Sequence, residues 1–416
     1  TVNVVDSLRV NGHLTIASGV LVAGAHPVFV GGDWNNAVGP AGFDEGTGKV
    51  VFNGGNYHQI CSDETFYTLE VDKPLGGAFR TGNNDVTCSF YDWTAGAVDV
   101  AAGSFTADNL VDNGLFGSFY VNPGGVINLT NPDGYVDLNG YLYNYGGTIN
   151  VYSNPGYGDS YWPWSANAGI TMTGGILDFK NTGIWVYSNG LTFSENITAG
   201  TIRTAAGFQV DRAEYTPSGG LLEFYGSADG SFRARNGGYV RNVLLNKSGT
   251  DAPVSGTVPH LDRLTGEVTD VPLLNNISLS GSADVNGNLT IQAGVLTAGA
   301  NTLTVEGNWN NLAGTSAFQE GTGTVEFDGA NEADILSTEN FNHMNLNKTF
   351  ADYTALEVMQ NLTCSGNLHL IDGTLEVNSP ANLTVAGNVT IDLNACLNVN
   401  DYTGLEVTVG GNWTNN

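Results

Sequence analysis

A stretch of 43 residues occurs twice in this chain, and no other feature constrains its fold as tightly. VNGHLTIASGVLVAGAHPVFVGGDWNNAVGPAGFDEGTGKVVF at Val10–Phe52 aligns without a gap with VNGNLTIQAGVLTAGANTLTVEGNWNNLAGTSAFQEGTGTVEF at Val285–Phe327, an offset of 275, and 25 of the 43 positions are identical. The correspondence runs on from FYTLEVDK at Phe66–Lys73 to FNHMNLNK at Phe341–Lys348. A third start, SGNLHLIDGTLEV at Ser365–Val377, leads to VTVGGNWTNN at Val407–Asn416, so that Trp34, Trp309 and Trp413 share one slot. Phe43 and Phe318 open the F-x-x-G-x-G-x-V-x-F-x-G piece, and Phe52 and Phe327 close its strand; a degenerate copy, YTPSGGLLEFYG, begins at Tyr215 and precedes a second lysine-ended strand, VLLNK. Repeats on this scale are units that bury their apolar face only by stacking on a neighbour.

Within each unit, apolar residues alternate with small or polar ones (LTI, TLTV, TVEF), the period of a strand, and no segment carries a helical period. Gly, Asn and Asp interrupt the strands every 6 to 12 residues or so and supply the turns. Short strand-scale motifs recur throughout (GNLTI, GGVINL, GGTINV, GGILDF). These observations predict an all-β chain, an elongated parallel β-helix or β-solenoid of stacked rungs, with ladders of hydrogen-bonded asparagines at the turns. The organisation expected is a first repeat unit over 1–95, an irregular aromatic-rich solenoid stretch over 96–205, a degenerate repeat end and connector over 206–270, a second full unit over 271–355 and a truncated third over 356–416.

The motif set G-N-L-T-I, G-N-W-x-N, F-x-x-G-x-G-x-V-x-F-x-G and a strand ending in N-K resembles a repeat type found in large secreted surface proteins of Bacteroidota and related bacteria. The resemblance covers residues 1–73 and 206–416, and the middle shares only its texture. It implies a parallel β-helix, export to the bacterial cell surface, and a structural or adhesive role.

Charge narrows the partners. With 41 acidic against 13 basic residues, the formal charge is −28. Phosphate neutralisation needs clustered Lys and Arg, so nucleic acid is excluded as a partner, and no apolar run is long enough to span a membrane. Yet 41% of residues are hydrophobic, too many for a disordered chain. The even cysteine count and wide spacing fit disulfides outside the cell. The local pairings, Cys61 with Cys88 and Cys364 with Cys396, would each close a loop of about 30 residues, worth roughly 3 to 4 kcal/mol; four buried thiols are the alternative.

Catalytic patterns are sparse. No HExxH, nucleophile elbow or P-loop occurs. Asp133 with Asp137, and Asp211 with Glu214, have carboxylate spacing but read equally as turn caps; the chain is expected not to be an enzyme, with a polysaccharide lyase or hydrolase as the remote alternative. No resident cofactor is expected, loosely bound calcium at acidic turns apart, and no dedicated metal motif is present. In the middle, Tyr141, Tyr143 and Tyr145 alternate and so share one face, followed by Tyr152, Tyr157, Tyr161, Trp162 and Trp164. They read as an interface or glycan surface, or as core and cover. Triplets such as those at Asn128, Asn196, Asn288, Asn382 and Asn412 match the glycosylation pattern, but the repeat grammar also produces them. Finally, the chain opens on the strand-like TVNVVDSLRV and stops in mid-unit. The functional expectation is therefore a secreted subunit that polymerises with itself into an extracellular filament or sheath. Thr1, Val2, Val4, Leu8 and Val10 of one copy would meet Val407, Val409 and Trp413 of the next. The alternative is a monomeric surface adhesin that binds glycans or other surface proteins.

Overall fold

The computed structural model describes residues 1–74, 76–110, 117–134, 136, 139–154, 160–162, 167–247, 257–261, 268–272, 275–349, 355–400 and 404–416. Asp137, Tyr157, Trp164 and much of the 248–274 connector lie outside them, as does the side chain of Tyr161. The chain is a β-solenoid of about 16 turns, built almost wholly of parallel strands. It forms two compact units, Thr1–Thr204 with Pro217–Gly220, and Ala205–Thr216 with Leu221–Asn416.

In the first unit, Ala97–Val100 pairs in parallel with Ser118–Val121, and that strand with the first half of Tyr141–Ser153. One turn therefore takes 21 to 23 residues. Alternation decides which side chains enter the core: Ile127, Leu129, Leu142, Ile149 and Val151 point inward and are essentially inaccessible, while their neighbours along each strand face out. In the second unit, Thr302–Val305, Thr324–Gly329 and His343–Lys348 stack in the same way. The connector departs from this pattern: Thr257–Leu261 and Val268–Pro272 pair antiparallel with each other. Among the described residues no helix is long and apolar enough to cross a membrane.

The 275-residue repeat is a repeat of core geometry. Trp34 packs edge-on against Phe43 at 4.8 Å and against Phe66 at 5.4 Å. Trp309 meets Phe318 at 4.8 Å and Phe341 at 5.1 Å. Phe52 and Phe327 close the clusters at 6.3 and 6.4 Å. Edge-to-face arrangement at these distances is the preferred aromatic geometry.

The lysine that ends the NK strand is fully buried in all three copies, Lys73, Lys247 and Lys348. Its ammonium donates to backbone carbonyls of earlier turns: Lys348 Nζ to the oxygens of Glu306, Asp328 and Asn331 at 2.7, 2.8 and 2.9 Å, Lys73 to Gly54 and Asn56, and Lys247 to Ala205. Burial pulls Lys73 and Lys247 down to about 8. The lysine thus satisfies carbonyls that the turn leaves unpaired.

The asparagine ladder is present in two forms: side-chain stacks of the kind expected, with Asn150 Nδ2 donating to Asn128 Oδ1 at 2.8 Å and Asn400 Nδ2 to Asn378 Oδ1 at 3.1 Å, and a second form at the corners that enlists the backbone. In the second, each side chain accepts from the backbone N–H of the residue one rung on: Asn288 Oδ1 from Asn308 at 2.8 Å, Asn367 Oδ1 from Asn388 at 2.9 Å, Asn388 Oδ1 from Asn412 at 2.8 Å and Asn382 Oδ1 from Glu406 at 2.7 Å. Asp33 and Asp63 play the same part toward Gln59 and Asp85, and His13 Nδ1 does so toward Asp33. At a corner the strand ladder stops, and the orphaned N–H needs an acceptor more than the side chains need each other.

Each full unit also buries one acid. Glu64 accepts from Ser62 Oγ at 3.0 Å and Glu339 from Ser337 Oγ at 3.0 Å. Those serines in turn accept from the backbone N–H of Asn36 and Asn311. Burial pushes both carboxyls up from 4.5, partly opposed by the nearby tryptophan, serine and asparagine groups. A folded value above the unfolded one gives stability that is full below 4.5 and is lost as pH rises through the folded value. The double variant Glu64→Gln, Glu339→Gln is therefore expected to melt higher than wild type at pH 7 and to lose less stability as pH rises above 4.5. Thermal melts across that range check this; an unchanged slope would refute it.

Candidate functional site

The first unit carries a recess of about 700 Å³ on one outward face, within the range of ligand sites. Its floor follows from strand register. Ala78, Ala97 and Ser118 stand side by side on successive turns, three small residues in a row on the strand face away from the core, Ala78 and Ala97 themselves buried beneath the surrounding side chains. The next residue in that column is Tyr141. At the other end Tyr57 precedes His58, which stands beside Phe79. Two residues along, a second outward column runs Arg80, Asp99, Tyr120, Tyr143, and its first three residues form one wall.

The opposite wall is Trp93, placed by two glycines. Its indole N–H donates to the Gly96 carbonyl at 3.3 Å. Gly96 has φ +95, a conformation glycine adopts freely. A Cβ on Gly117 would collide with the Trp93 indole, so glycine there lets the ring lie over the backbone.

Polar groups converge on this apolar floor. Tyr57 is 56% exposed, and the Arg80 guanidinium lies 4.1 Å from its ring centre, a cation–π contact. Arg80 Nε donates to Asp99 Oδ2 at 3.0 Å, and Asn122 donates to Asp99 Oδ1 at 3.0 Å. Both carboxylate oxygens are thus engaged, whereas the terminal nitrogens of Arg80 have no hydrogen-bond partner among the described residues. Tyr120 and Tyr143 stack at 4.5 Å with their planes 5° apart, and Tyr145 continues the row at 6.5 Å. Burial, then the neighbouring phenols, raises the pKa of Tyr120 and Tyr143 further above the ordinary phenol range.

Tyr141, Tyr143 and Tyr145 thus share an outward face, and Tyr141 borders the recess. Trp162 does not join them. It is 1% exposed and packs edge-on against Phe193 at 5.2 Å, because alternation in Ser160–Trp162 turns it into the core. The disulfides are also corrected: all four cysteines are free. Cys88 and Cys364 are buried, with burial raising their thiols, while Cys61 and Cys396 are exposed. Each expected pair would join a buried to an exposed side chain.

The acidic candidates are occupied structurally. Asp211 accepts from Arg233 and Arg235, Glu214 pairs with Arg212, and Asp133 sits in a turn where its N–H meets Asn131 Oδ1. No group of three or more His, Cys, Asp or Glu among the described residues is arranged to hold a metal ion. Of the residues expected between copies, Thr1, Val2 and Trp413 are exposed, and Val4, Leu8, Val10, Val407 and Val409 are half-buried. Comparison with protein-family models, curated proteins and solved structures returns no match.

Proposed function

We propose that this chain is a non-catalytic β-solenoid of the bacterial cell surface that binds saccharide in the recess of its first unit. The observation that carries this reading is the pairing of aromatic walls with a small-residue floor and uncommitted hydrogen-bond donors. A pyranose ring has apolar C–H faces, which pack on aromatic rings, and a rim of hydroxyls, which need donors and acceptors such as Arg80, Tyr57 and Tyr120. Binding without cleavage is supported by the carboxylates: Asp99 alone lines the recess among the described residues, and glycoside hydrolysis takes two about 5 to 10 Å apart. The surface location rests on the repeat motif and the acidic composition.

A glycan array tests the reading. Wild type is expected to bind, and Trp93→Ala to weaken binding at least tenfold with an unchanged circular dichroism spectrum. A wild-type protein that binds no saccharide overturns it.

We keep polymerisation as a second proposal, supported by the stacked-rung architecture, in which a turn buries its apolar face only against a neighbouring turn. Filaments of the purified chain in the electron microscope are expected; dispersed single particles at all concentrations would refute it.

A further inference from the structure

We propose that the recess takes a neutral, extended glycan segment about three sugar residues long, laid along the direction in which the rungs stack, with Tyr57 and Tyr141 marking its ends. This rests on the saccharide reading above and adds length, direction and charge to it.

Length and direction come from the register. The outward column bears Ala78, Ala97 and Ser118 on three successive turns, with Tyr57 adjacent to one end and Tyr141 to the other. Strands hydrogen-bonded side by side lie about 4.8 Å apart, so the three turns between Tyr57 and Tyr141 span roughly 14 Å along the recess. An extended, equatorially linked glycan advances by about one ring width per residue, close to one rung spacing. Successive sugars would then meet successive turns: one beside Arg80, one beside Asp99, one beside Tyr120. Across the slot the extent is set by Trp93 on one side and this column on the other.

Neutrality comes from charge. Arg80 is the single basic side chain among the described lining residues, and Asp99 balances it at 3.0 Å. Nothing is left over to offset a uronate carboxylate, and a chain of formal charge −28 repels an anionic polymer. The terminal nitrogens of Arg80 remain free to donate to hydroxyls or ring oxygens.

Isothermal titration of the full chain tests this, with β-1,4-linked oligomers of glucose, mannose, xylose and N-acetylglucosamine from one to six residues, and with tri-galacturonate as the acidic probe. For the neutral series that binds, affinity is expected to rise at least tenfold from monomer to trimer and to change less than twofold from trimer to hexamer. Tri-galacturonate should bind at least tenfold more weakly. Tyr141→Ala removes an end post and should move the plateau to longer oligomers. Ser118→Tyr fills the floor and should lower trimer affinity at least tenfold while monomer affinity changes little, an independent check should the first variant fail to fold. Affinity that keeps climbing to the hexamer, or an acidic trimer that binds as well as a neutral one, overturns this inference and leaves the saccharide reading standing. No binding by any probe, neutral or acidic, overturns both.

Discussion

Trp309→Ala is expected to lower the stability of the second unit by about 3 to 5 kcal/mol, the range for deleting a fully buried large aromatic. Trp309 is completely inaccessible and is in edge-to-face contact with Phe318, Phe327 and Phe341. Phe318 shares the turn of Trp309 and Phe327 and Phe341 share the next, so a cavity at the tryptophan is bounded by two turns and cannot be closed by one side chain moving in. In a stacked-rung architecture the loss is local, since each turn contacts mainly its neighbours. Amide exchange should therefore accelerate most in the rungs holding the three phenylalanines. Trp413 occupies the same slot of the third repeat but is 49% exposed, and Trp413→Ala should lower stability by less than about 1 kcal/mol. Urea unfolding of both variants provides the comparison; equal losses would show that the slot's sequence, rather than its burial, sets its contribution.

The second large effect is expected at Lys348. Lys348→Met retains the aliphatic stem and removes only the donors, leaving the carbonyls of Glu306, Asp328 and Asn331 without their shared partner. Each buried acceptor left unpaired costs about 1 to 3 kcal/mol, less where water can enter, so a loss of about 3 kcal/mol is expected. Lys73→Met should lose less, because Lys73 makes two longer bonds, at 3.2 and 3.4 Å. Chemical denaturation of the two variants in parallel checks the order. A neutral Lys348→Met would mean that solvent reaches these carbonyls in the folded state.

What the chain revealed before folding was its short-range grammar. The shared slot of Trp34 and Trp309, with Phe43, Phe318, Phe52 and Phe327, was visible because identical residues recur at a fixed offset, and stacking turns each recurrence into the same contact. The outward tyrosines at 141, 143 and 145 were visible because alternation fixes which face a strand residue takes. The recess was not. Its floor combines Ala78, Ala97 and Ser118, small residues with no signal of their own, and they become neighbours only once turns of 19 and 21 residues are in register. Tyr120 and Tyr143, 23 positions apart, offered the one available clue. Trp162 stayed open between surface and core in the sequence because its three-residue strand is too short to show alternation, and the structure buries it. The paired acids Glu64 and Glu339 recur at the 275-residue offset, but charge normally marks a surface, and only the serine and asparagine beside each explain its place inside.

The corner ladder has a consequence for how such a chain ages. Asn288, Asn367, Asn382 and Asn388 each hold the next rung through the side-chain oxygen alone, and Asp33 and Asp63 show that a carboxylate serves equally well. Slow hydrolysis of these amides would swap a neutral acceptor for a charged one and leave each rung junction connected. Damage by that direct route, as distinct from the succinimide route that inserts a backbone methylene as isoaspartate, is taken up as added negative charge rather than as lost structure.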